Sequence, residues 1–164
     1  STFNKALDGA KSSNKKILMN VYADWNRWSK RMDKDVYALP DVQSYLNKYF
    51  LSSKLDAESN KEVTYNDQTL TEALLASDIL GIDGYPTTVF FMPNGEVITS
   101  VPGYIPPDQF LLILKYIAEE SGCKSGYLFA IHTIDDKFIG ILGMDYTKRK
   151  TSAKTKAPSS LDED

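Results

Sequence analysis

Apolar side chains recur at helical spacing at Phe3, Ala6, Leu7 and Ala10, which predicts a short amphipathic helix over residues 1–13. The polar run KSSNKK ends it, and ILMNVYA (17–23) follows as a buried strand. A second helix is expected to start near Asn26 and run through Met32 to about Tyr37. Pro40 interrupts it, after which Val42, Tyr45, Leu46 and Tyr49 resume a helical face. YFLSSKLDA (49–57) reads as a second strand and ESNKEVTYNDQ as a polar surface loop. Thr69 with Glu72 has the form of a capping box, opening a helix whose apolar side is Leu70, Ala73 and Leu74 and which closes at Gly81. TTVFFM (87–92), the turn PNG and the returning EVITSV predict a hairpin. PPDQFLLILKYIAEE predicts a closing helix, with proline at its start and Phe110, Ile113, Leu114 and Ile117 on one face.

Strands alternating with helices, then a hairpin and a last helix, imply an α/β fold with a mixed central β-sheet flanked by helices. The expected domain organisation is an N-terminal helix (1–13), a main domain (14–120), a C-terminal extension (121–146) and a tail (147–164). The extension contains GYLFAIHTIDDKFIGILGM, two apolar runs that read as a hairpin turning at Asp135-Asp136. The tail TKRKTSAKTKAPSSLDED is basic, then acidic, with almost no apolar side chains, and is expected to be disordered. Net charge is −3 over 164 residues, so the chain lacks the overall basic footprint of a nucleic-acid binder. No apolar run approaches the ~20 residues of a membrane-spanning helix. The first sixteen residues have no apolar signal core, so any export signal is expected to have been removed or never present. Cys123 is the only cysteine in the chain and cannot form an internal disulfide.

Four stretches, in this order and spacing, resemble the thioredoxin superfamily, nearest its bacterial periplasmic branch, such as the C-terminal domain of DsbD-type reductases. ILMNVYADW is similar to the strand that delivers the redox turn, and NRWSK stands where the family has Cys-x-x-Cys-Lys. GIDGYPTTVFF, with Pro86, resembles the stretch holding the family's cis-proline loop. PNGE followed by GYIPPDQFLLIL resembles the last hairpin, its glycine and the closing helix. The resemblance spans about residues 14–120 and implies a thioredoxin fold.

The resemblance also implies which residues should react. In such a turn the first thiol sits at a helix N-terminus, where unpaired N–H groups lower its pKa, and the second resolves the mixed disulfide. Here those positions hold Asn26 and Ser29, and Asn20 stands where many relatives have a proton-relaying carboxylate. As written, the chain cannot cycle electrons through this turn. Asn26 nevertheless suits the place, since asparagine is a preferred N-cap whose oxygen accepts the backbone N–H bonds a thiolate would attract.

By the same resemblance, an extended polypeptide would lie between the turn and the proline loop, pairing with the backbone of Tyr85. The contact surface would carry Trp25, Arg27, Trp28, Tyr85, Pro86 and Tyr104, a hot-spot composition. Trp28 is expected to be exposed, whereas Trp25 either joins that surface or packs beneath the turn. No cofactor and no metal are expected: His132, the lone histidine, has no ligand cluster around it, and Cys123 reads as an inert thiol. Asp24 and Asp33 read as solvated charges rather than a paired acid site. The favoured reading is a redox-inactive, protein-binding thioredoxin-like module, expected in an extracytoplasmic compartment. Its alternative is a disulfide reductase whose cysteines at positions 26 and 29 were mutated. A third reading leaves the groove vestigial and gives assembly to the extension.

Overall fold

The computed structural model describes residues 2–119, 128–132 and 138–143. They fall into two compact units, one within residues 1–120 and one within 121–164. In the first unit, α1 (Phe3–Ser13) leads into β1 (Lys16–Tyr22), then α2 (Arg27–Met32), which continues as a π-helical turn over Asp33–Tyr37. Next come α3 (Pro40–Tyr49), β2 (Phe50–Asp56), β3 (Glu62–Tyr65) and β4 (Gln68–Thr71). The one-turn helix α4 (Glu72–Leu74) also continues as a π-helical turn, over Leu75–Ile79. The unit closes with β5 (Thr87–Phe91), β6 (Val97–Pro102) and α5 (Pro107–Glu119).

The main sheet has the order β2-β1-β5-β6, with β1 parallel to β2 and antiparallel to β5. Side chains alternate across it. Ile17, Met19, Val21 and Phe91 face a core shared with Phe3, Ala6 and Ala10 of α1. The Phe3 ring lies 5.1 Å from Phe91 and 5.9 Å from Tyr65. The first helix is therefore built into the same core as the strands. On the opposite face the Phe90 ring packs against Phe50 and Tyr37 against Phe110, beneath the helices that carry the candidate site.

Two local expectations are corrected. ESNKEVTYNDQ is not an irregular loop: most of it forms the β3–β4 hairpin, in which Glu62 pairs with Thr71 and Tyr65 with Gln68. Its turn residues Asn66 and Asp67 adopt φ of 50° and 62°, the left-handed region that Asn and Asp tolerate. Val63 and Tyr65 alternate inward, and the Tyr65 hydroxyl donates to the Gly95 carbonyl at 3.0 Å. The N-cap of α4 is Thr71, whose Oγ1 accepts from Leu74 N–H at 3.2 Å, because Thr69 is held in the β-ladder opposite Thr64.

In the second unit, β7 (Leu128–His132) pairs antiparallel with β8 (Phe138–Gly143). Asp135-Asp136, Cys123 and the tail 147–164 lie outside the described residues. Among the described residues no helix is long and apolar enough to cross a membrane.

Candidate functional site

The end of β1 hands the chain to a tight turn in which Asn26 N–H donates to the Ala23 carbonyl at 3.0 Å. Asn26 is extended (φ −76°, ψ 118°) and caps α2, its Oδ1 accepting from Ser29 N–H at 2.9 Å. This is the geometry of an asparagine N-cap, and it satisfies a donor that the first helical turn otherwise leaves unpaired. Ser29 lies one turn in and is 2% exposed; its Oγ has no hydrogen-bond partner among the described residues.

Beneath the turn, Asn20 is equally buried. Its Nδ2 donates to Asp33 Oδ1 at 3.2 Å while its own Oδ1 is unpaired. Lys54 Nζ donates to the other Asp33 oxygen at 2.7 Å. Asp33 is therefore not a simple solvated charge: it links the centre of the sheet to the edge strand β2. It does not form an acid pair with Asp24, which is exposed in the turn. Asn20, Asp33 and Lys54 share a cleft of about 540 Å³ with Tyr37, Gln43 and Asn47.

Above the turn the surface is aromatic. Trp25 is 65% exposed, so it joins the surface rather than packing beneath the turn. Its ring stands edge-on to Tyr85 at 6.3 Å, and its indole N–H donates to Glu58 Oε1 at 2.7 Å. Trp28 is 50% exposed and tilts against Tyr104 at 5.7 Å. The Arg31 guanidinium sits 5.5 Å from both of those ring centres and bonds Asp35 at 3.1 Å. Arg27 is exposed at the start of α2.

The Tyr85–Pro86 peptide is cis. Gly103 N–H donates to the Pro86 carbonyl at 2.7 Å, and Ile105 N–H donates to Met32 Sδ at 3.4 Å. These bonds fasten the proline loop, the segment carrying Tyr104 and the end of α2 to one another. Trp25, Trp28, Tyr85 and Tyr104 thus stand as two aromatic pairs on a common frame.

The two pairs differ in electrical character. Burial pushes the Tyr22 phenol up, and the carboxylates of Asp56, Asp24, Glu72 and Asp33 push it the same way. Glu58 and exposed Asp24 stand at Trp25, whereas Arg31 of α2 is in contact with Trp28 and Tyr104. Sequence reasoning missed Glu58, Lys54 and Arg31, and read Asp33 as a solvated charge without its two partners. Arg31 was legible in principle, three residues after Trp28 on one helical face. Nothing local marks Glu58 as the partner of a tryptophan 33 positions away. His132 falls in β7, and among the described residues no group of three or more His, Cys, Asp or Glu could hold a metal.

A mixed sheet, a capped turn at the end of its central strand and a cis-proline loop tied beside it define the thioredoxin class of fold. Residues 3–118 match the family model described as a thioredoxin-like domain, and the chain belongs to that family. It is 30% identical over 103 residues to the thiol:disulfide interchange protein DsbD of Haemophilus ducreyi, covering 62% of this chain and 16% of that protein. The chain spans only 14–17% of the length of the curated relatives it matches. Among solved structures, a thioredoxin from Thermus thermophilus aligns with TM-score 0.59 and 18% identity, over 74% of this chain and 87% of that one. The reduced DsbD C-terminal domain of Neisseria meningitidis aligns with TM-score 0.52 and 19% identity, over 69% and 91%.

Proposed function

We propose that this domain binds an extended polypeptide in the groove between α2 and the Pro86 loop without exchanging a disulfide with it. The observation that carries the reading is the pair of exposed tryptophans, one edge-on to Tyr85 and one tilted against Tyr104. Large aromatic side chains left this open are costly to solvate and typical of contact hot spots. The peptide pairs with the backbone at Tyr85 and packs on Trp25, Arg27, Trp28, Pro86 and Tyr104.

The groups in the turn support redox inactivity. The Asn26 amide is no nucleophile, and the buried Ser29 hydroxyl has no base within hydrogen-bond reach. Resemblance to exported family members supports an extracytoplasmic location. A panel of extended peptides, screened by the fluorescence of Trp25 and Trp28, tests the reading. Trp28→Ala and Tyr85→Ala should each weaken the best binder about tenfold, and unchanged affinity would leave the groove vestigial.

One observation favours the alternative, a disulfide reductase whose cysteines stood at positions 26 and 29. The unpaired, buried Ser29 hydroxyl fits a serine placed where a thiol had packed, since a thiol tolerates an apolar site. The encoded residues at 26 and 29 decide between the two. The double change Asn26→Cys with Ser29→Cys should produce disulfide reduction with a dithiol donor, whereas the present chain produces none.

A further inference from the structure

We infer that the groove is electrically polar along its length and selects an extended peptide with a basic residue at one end and an acidic residue at the other. The inference rests on the peptide-binding reading above and specifies the chemistry of its partner.

The charged group in contact with each aromatic pair differs in sign: Glu58 at one, Arg31 at the other. At the Trp25–Tyr85 pair the indole N–H is held by Glu58, whose backbone N–H donates to Asp56 Oδ1 at 3.0 Å. Exposed Asp24 precedes Trp25 in the turn. Lys54 lies 5.5 Å from the Tyr22 ring, but its ammonium is already engaged by Asp33.

At the Trp28–Tyr104 pair the nearest charge is the Arg31 guanidinium, which is in contact with both rings. Asp35 neutralises part of it, but Arg27 and Lys30 are exposed on the same short helix and make no ion pair among the described residues. A carboxylate arriving over Trp28 meets the Arg31 guanidinium, while a lysine or arginine arriving over Trp25 meets Glu58 and an electron-rich indole face. The aromatic rings between them supply apolar area without preference for sequence. The charged ends therefore set orientation and partner choice more than total affinity.

Charge order is the test. Three peptides share one apolar spacer, roughly four residues at ~3.3 Å each. One carries lysine before and glutamate after the spacer, one carries the reverse order, and one carries glutamine at both places. Binding is read by tryptophan fluorescence and calorimetry at low and high salt. One charge order should bind about five- to tenfold tighter than the other, with the neutral peptide between them. Raising the salt should shrink that ratio. Glu58→Gln, which removes the charge but keeps an acceptor for the Trp25 indole N–H, should lower that ratio. Equal affinity for the three peptides overturns the polarity and leaves the groove reading intact. Binding of none of them overturns both.

Discussion

Ser29→Ala should make this protein more stable. Serine is at a buried helical position, 2% exposed, and its hydroxyl finds no partner among the described residues. An unpaired buried hydroxyl costs about 1–3 kcal/mol. Alanine also gains up to about 0.5 kcal/mol in helix propensity over serine. Against this stands the packing lost with one oxygen atom, under about 1 kcal/mol in a core that relaxes partly around it. The net expectation is stabilisation of about 1 kcal/mol. With a urea dependence of about 2 kcal/mol per molar, the unfolding midpoint should rise by roughly 0.5 M. Trp25 and Trp28 flank the turn and report the transition directly. Ser29→Cys should move the midpoint the same way, because a thiol packs as a small apolar group. A midpoint that stays put or falls in both variants would refute the reasoning, since the hydroxyl must then have a partner worth keeping.

The neighbouring cap carries the opposite sign. Asn26→Ala removes the acceptor of the 2.9 Å bond from Ser29 N–H and should cost about 1 kcal/mol in the same titration, whereas Asn26→Asp should cost little. Tyr37 controls alkaline stability: burial pushes its phenol well above the ordinary tyrosine range, against the bond to Thr88 Oγ1 at 2.9 Å, with the Asp33 carboxylate adding to the rise. Its raised folded pKa stabilises the fold below the unfolded value near 10, and that contribution is lost as pH rises. Tyr37→Phe should therefore be less stable at pH 7, by about 1 kcal/mol for the unpaired threonine, yet lose less on going above pH 10. Phe3→Ala, which empties the contact between α1 and the Phe91 and Tyr65 rings, should cost about 3–5 kcal/mol in urea unfolding. A small loss there would mean that α1 is not part of the cooperative core.

What could be read in advance divides along physical lines. The buried strands β1 and β5 and the amphipathic α1 and α5 announce themselves because apolar spacing is a local property. The Asn26 cap was legible too, since a side chain two or three residues from its partner needs no tertiary information. The β3–β4 hairpin was passed over because its strands are short and polar on one side. Asn66-Asp67, a turn-forming pair between Val63-Thr64-Tyr65 and Gln68-Thr69-Leu70, was its sign. Capping at Thr71 rather than Thr69 turned on ladder pairing, which the local motif does not encode. The Asn20–Asp33–Lys54 linkage and the Glu58 anchor join residues far apart in the chain, so only the fold brings them together.

The candidate site is well made on its outside and poorly satisfied on its inside, and that contrast bears on how it came about. Outside, Asn26 closes the helix, Glu58 fixes Trp25, Arg31 bridges Trp28 and Tyr104, and backbone bonds tie the proline loop to the segment that follows β6. Inside, Ser29 Oγ and Asn20 Oδ1 are both buried and unpaired among the described residues. Interiors are close-packed, and each such atom is a standing cost of the same order as a sizeable part of a domain's net stability. Selection for stability alone would have replaced both with apolar side chains, and the turn holds neither of the two thiols that disulfide exchange uses. The surviving order is in the outer parts, the proposed contact surface. If Ser29→Ala proves more stable and binds peptide as tightly as the present chain, the interior polar atoms serve neither folding nor recognition. The groove alone would then be what this turn maintains.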